Sequence, residues 1–99
     1  MVLVGMGGIF AESLRDVSLR MPPIDEQTAV EMIEELRGAA VLDGVRGRPP
    51  ADRAALIEVL MALGDIALDF GERLVELDIN PLFALPVGAL AGDALIVVR

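Results

Sequence analysis

The chain contains no cysteine and no histidine, and all eight of its basic residues are arginine, so lysine is missing too. Without cysteine there is no disulfide framework, thiol nucleophile or thiolate metal site. Without histidine the chain itself supplies no imidazole base, Ser–His pair or phosphohistidine. Only three residues are aromatic, all of them Phe, so the core must come from Leu, Ile, Val, Ala and Met. The arginines form no basic patch and interleave with no aromatic residues, which argues against nucleic acid and anionic membranes as partners. No apolar run approaches the roughly 18 residues of a membrane span. The opening Met1-Val2-Leu3-Val4-Gly5-Met6-Gly7-Gly8 lacks the basic n-region of a signal peptide, which leaves the cytoplasm as the expected location.

What is present is 99 residues, 55% hydrophobic, with a net charge of −8. That size fits one domain with a modest core. The excess of acid points to solubility or to bound cations. The chain enters almost at once on an apolar strand and a glycine cluster, so it is expected to be a piece of a longer protein.

Hydrophobic periodicity divides the chain into strands at both ends and helices between. Residues 2–4 are a short apolar run. Residues 9–14 and 17–21 read as a hairpin turning at Arg15-Asp16. A helix is expected over 26–37, with Asp25 as N-cap and Gly38 as the residue just past its end. Residues 39–42 are apolar and of open type, and 43–50 form a Gly/Pro/Arg loop. A second, broadly apolar helix spans 52–70. Its Gly64 sits mid-helix at a propensity cost of about 1 kcal/mol, which a close packing contact would explain. Residues 75–80, 82–85 and 89–98 read as strands, the last with Asp93 in its middle. The class predicted is α+β: an antiparallel sheet covered by two main helices.

The stretch that carries chemistry is Val75-Glu76-Leu77-Asp78-Ile79-Asn80-Pro81-Leu82. Its period of two sends Glu76, Asp78 and Asn80 to one face. Pro81 ends the ladder by removing a backbone donor. If the following strand folds back antiparallel, Asp93 can land beside them, and Asp78, Asn80 and Asp93 can then offer oxygen ligands to a hard cation such as magnesium. Spacing alone fits solvated residues on an exposed sheet face as well. Glu12 interrupts an apolar strand, as a site carboxylate or as a solvent-facing residue. Arg20 can grip a phosphate or pair with Asp16 or a neighbouring Glu. Arg46-Gly47-Arg48 can bind an anion or stand solvated in its loop. Gly5-Met6-Gly7-Gly8 matches neither phosphate-loop fingerprint, because no lysine follows and a strand comes next.

Three segments resemble one family in order and spacing. They are Gly5-Met6-Gly7-Gly8-Ile9-Phe10-Ala11-Glu12 with Asp16, Val17, Ser18 and Arg20; Leu42-Asp43-Gly44-Val45-Arg46-Gly47-Arg48-Pro49-Pro50; and Glu76-Leu77-Asp78-Ile79-Asn80-Pro81-Leu82. Together they look like the C-terminal part of the ATP-grasp domain of NDP-forming acyl-CoA synthetases, the ADP-forming acetyl-CoA synthetases. The resemblance covers essentially the whole chain. It implies a reversible conversion of acyl-CoA, ADP and phosphate to acid, CoA and ATP through a phosphohistidine in another domain. It also implies that Asp78, Asn80 and Asp93 line the magnesium of a bound ATP or ADP. Glu12, Arg20 and Arg46 fall in the family's other marked segments and are candidate nucleotide-binding residues. The implied partners are the nucleotide and the remaining domains or subunits of the synthetase, with self-association through exposed apolar surface a further possibility. The same resemblance extends to synthetase-like regions fused to GNAT-type protein acetyltransferases, which would make the module non-catalytic, regulatory or structural. Two departures stand out. The family's Asp-Ala-Arg-Ile is here Asp93-Ala94-Leu95-Ile96, and the lobe bearing a phosphate-binding lysine has no counterpart in these residues.

Overall fold

A computed structural model describes residues 1–7, 16–44 and 46–99. The strand expected over 9–14, and Glu12 with it, lies outside the described residues. The chain is α+β. Strand β1 (Val2–Gly5) pairs antiparallel with β2 (Val17–Arg20), Leu3 opposite Leu19. Helix α1 (Glu26–Glu34) and helix α2 (Arg53–Phe70) follow, separated by a 3-10 turn at Ala39–Asp43. Then come β3 (Leu74–Ile79), β4 (Leu82–Ala84), β5 (Ala89–Ala91) and β6 (Ala94–Val98). β3 pairs with β6 and β4 with β5, all antiparallel. The described strands thus form three two-stranded ladders rather than one continuous sheet.

Asp25 caps α1 by accepting from the Thr28 amide at 2.7 Å. Ala29, Met32 and Ile33 then fall on one buried face, as their spacing requires. The helix stops at Glu34, short of the expected Arg37. The reason is tertiary. The amides of Arg37 and Gly38 turn to the two carboxylate oxygens of Asp16, at 2.6 and 2.7 Å, instead of continuing the helical ladder. Gly38 is therefore not a left-handed helix terminator: its φ is −85°. Its missing side chain makes room for Met6 and the Asp16 carboxylate, which a Cβ would meet at 3.0 and 3.1 Å.

Strand β2 turns its polar side inward. Ser18 is buried, while Val17 and Leu19 are exposed. Ser18 Oγ donates to Glu35 at 3.1 Å and Arg20 forms an ion pair with the same carboxylate, so the polar atoms are satisfied where they meet the end of α1.

The core gathers Val2, Ile24, Ala29, Met32, Ile33 and Leu60, with Leu56, Ile57, Met61 and Leu63 packed against it. α2 reaches it through Gly64. A Cβ there would stand 2.8 Å from Ile24 Cγ1 and 3.1 Å from the Ile24 backbone nitrogen. The mid-helix glycine thus exists for close approach of the segment leading into α1. Gly64→Ala should lower stability by about 1–2 kcal/mol despite its better helix propensity, because overpacking outweighs the propensity gain. A chemical-denaturation midpoint that rises instead would refute this account.

Candidate metal centre

β3, β4, β5 and β6 make one long ribbon with a corner in it. Below the corner Ile79 faces Ala94, and above it Leu82 faces Ala91. At the corner the Asn80 amide donates to the Asp93 carbonyl at 3.0 Å, and the Gly92 amide donates to the Pro81 carbonyl at 2.8 Å. The expected strand over 89–98 is therefore split at Gly92-Asp93, because Pro81 has no amide to donate and the regular ladder lapses there, with Gly92 donating to the Pro81 carbonyl. Asp93 lies in that break, not within a strand.

The ladder sets the neighbours of each candidate ligand. Asp78 faces Leu95 and Glu76 faces Val97. Directly opposed residues share a face, so continuing the register brings Asn80 and Asp93 side by side with Asp78 diagonal to them. Val75 falls out of this alternation, since the ladder shifts between Leu74 and Glu76. Asp78, Asn80 and Asp93 are all exposed. Asp93 Oδ1 accepts the Ala94 amide at 2.9 Å, which orients the carboxylate. Among the described residues nothing donates to the other Asp93 oxygen or to the Asp78 carboxylate. Nor do three His, Cys, Asp or Glu side chains cluster to hold a metal among those residues. The donor set is two carboxylates and a carboxamide. That suits magnesium, which takes one or two carboxylates and fills its remaining positions with water and phosphate oxygens. The arginine missing from the family pattern maps to Leu95, the cross-strand partner of Asp78.

Neither Arg20 nor Arg46 makes a hydrogen bond or ion pair with this corner among the described residues. Arg20 donates to Glu35 and to the Leu19 carbonyl. The Arg20 hydrogen bond, with that from Ser18, holds the Glu35 carboxyl below the ordinary glutamate range. Arg46 sits at φ 53° in the exposed loop, and Arg48 borders a cavity of about 220 Å³ beside Leu42, Pro49 and Pro86.

Sequence reading passed over the role of Asp52. Its Oδ1 accepts from the Ala55 amide at 3.1 Å, capping α2, and its Oδ2 accepts from Gly88 at 2.8 Å. Its own amide donates to Leu85 at 2.8 Å. One residue thus ties the start of α2 to the tip of the β4–β5 hairpin. The cap was findable as an Asp before an apolar helical run; the reach to Gly88 was not. The Gly88 amide, then that of Ala55, holds the Asp52 carboxyl below its usual range. A depressed folded-state pKa contributes stability that is full above the ordinary Asp value and is lost as pH falls through the folded value. Asp52→Asn should therefore flatten the acid limb of the stability curve and speed hydrogen exchange at Gly88. An unchanged acid limb with unchanged exchange would remove the carboxylate from this role.

Comparison with known proteins places the chain. A family model described as an ATP-grasp domain matches residues 1–98. The chain belongs to the ATP-grasp family. It is 44% identical over 93 residues to the beta subunit of ADP-forming acetate–CoA ligase I of Pyrococcus furiosus, covering 94% of this chain and 40% of that protein. It is 42% identical to the ADP-forming acetate–CoA ligase of Methanocaldococcus jannaschii, covering 97% of this chain and 14% of that one. Among solved structures it matches the dinucleotide-forming acetyl-coenzyme A synthetase 1 of Ca. Korarchaeum cryptofilum, in complex with coenzyme A and Mg-AMPPCP. The TM-score is 0.91 at 40% identity, over 98% of this chain and 45% of that one. The chain thus spans less than half the length of these relatives. Among the described residues no helix is long and apolar enough to cross a membrane.

Proposed function

We propose that this chain is the magnesium–nucleotide-holding part of an ADP-forming acyl-CoA synthetase. The observation that carries the reading is the ribbon corner, where the Asn80–Asp93 pairing brings two oxygen donors together beside Asp78. Its agreement with the family supports it. In the reaction, acid, CoA and ATP become acyl-CoA, ADP and phosphate, with a histidine elsewhere in the assembled enzyme carrying the phosphoryl group. This chain has no histidine and no lysine to do that work itself.

Asp78 and Asp93 would supply two negative charges and Asn80 a neutral oxygen. A magnesium ion held there would neutralise phosphate charge and orient the nucleotide. The residues' own contribution is positional. Asp93 is fixed by the Ala94 amide, and Asn80 is fixed through its backbone to Asp93, so little reorganisation remains when the ligand arrives. Leu95 gives Asp78 no counter-charge from across the ladder, which leaves the carboxylate available to a cation. Arg20, already paired with Glu35, serves the fold. Arg46 stays a candidate contact for an anionic group.

In the assembled enzyme, Asp93→Ala should weaken magnesium-dependent ADP binding at least about tenfold, in the range typical of damage to a metal site. Arg20→Ala should lower thermal stability and leave the magnesium requirement alone. Titration calorimetry with ADP at several magnesium concentrations separates the two. Unaltered binding in Asp93→Ala would sink the assignment. These 99 residues by themselves should show no ATP turnover in a coupled assay.

A further inference from the structure

The ribbon corner is tighter than its hydrogen bonds require. Gly92 is not among the glycines with positive φ, which are Gly44, Gly47, Gly71 and Gly88. Its lack of a side chain is therefore a matter of space, not of backbone conformation. A Cβ at Gly92 would stand 2.9 Å from Phe83 Cε2 and 3.1 Å from both Cδ and Cγ of Pro81. The ring of Phe83 comes from β4 and is itself half exposed, at 48%. It lies over Gly92 because nothing there resists it. The same short segments, Asn80-Pro81 and Gly92-Asp93, exchange the two hydrogen bonds that close the corner.

We propose that Gly92 and Phe83 are a positioning pair that sets the separation of Asn80 and Asp93, and so the fit of the site to magnesium. The inference rests on the magnesium reading given above. A methyl group at Gly92 must displace the edge of the Phe83 ring and also press on the Pro81 ring, since both stand within 3.1 Å of it. Pro81 is bonded to Asn80, and Gly92 to Asp93, so a methyl that pushes the Pro81 ring away from Gly92 shifts one ligand against its neighbour. Magnesium demands near-ideal octahedral geometry with short oxygen contacts, whereas calcium accepts irregular arrangements at longer distances. A small displacement should therefore penalise magnesium more than calcium. A purely structural role would weaken both alike.

The test is ADP binding to the assembled enzyme, titrated separately with magnesium and with calcium. Gly92→Ala should raise the magnesium concentration needed for half-maximal ADP binding about tenfold, with a smaller change for calcium. Adding Phe83→Leu, which removes the atom nearest the new methyl, should recover much of the magnesium response. If Gly92→Ala does not fold, Phe83→Leu alone should still raise the magnesium requirement, since it removes the ring edge that covers Gly92 beside Pro81. Equal losses for both metals, or no loss in either variant while Asp93→Ala is impaired, would overturn the positioning pair and leave the site assignment standing. No effect of Asp93→Ala would overturn both.

Discussion

Helix α2 is the member on which the two ends of this molecule depend. Its 18 residues span roughly 27 Å, and it is held at two points of different chemistry. Gly64 lets it close onto Ile24 and so onto the buried cluster. Asp52 fixes its first turn and grips the hairpin tip through Gly88 and Leu85. The first contact is apolar and steric; the second is a charge-assisted hydrogen bond at the surface. The core and the ribbon share little else, because among the described residues none of β3 to β6 is fully buried.

That imbalance has a physical meaning. Val75, Phe83, Leu90, Leu95, Ile96 and Val98 are each about half exposed. Leu3 and Leu19 add apolar surface on the β1–β2 ladder, and Met21 adds more just past its end. Soluble monomers rarely leave so much apolar surface open unless it meets something. The chain also covers less than half of the relatives it matches. Both facts are compatible with the proposed reading, in which other domains or subunits of a synthetase cover these strands and the corner at Asn80 and Asp93 forms one side of a nucleotide site.

Much of this architecture was legible from local chemistry. Asp25 before an amphipathic run gave α1 its start, and the broad apolar stripe at helical spacing over 52–70 gave α2. Alternation gave β3 its span and sent Asp78 outward. The misreadings share one cause. α1 was expected to run to Arg37, but Asp16, some twenty residues upstream, takes the amides that would have extended it. The strand over 89–98 was expected unbroken, but its partner contains a proline and forces a break at Gly92-Asp93. In each case a residue distant in the chain overrode a local preference. Of the candidate site, the sequence showed the oxygen donors; their company at a bend was not readable from spacing.

The sequence by itself determined which chemistry is available. It excludes thiol, imidazole and amine chemistry within the chain, and it supplies carboxylates and a carboxamide at a two-residue interval. It also determined the class of fold, because helix and strand periodicities are local properties. Only the tertiary structure decided that Asn80 and Asp93 meet across a corner, that Arg20 is committed to Glu35, and that Gly64, Gly38 and Gly92 serve close approach. Those outcomes depend on register and on the distance between segments far apart in the chain, and no local pattern encodes them.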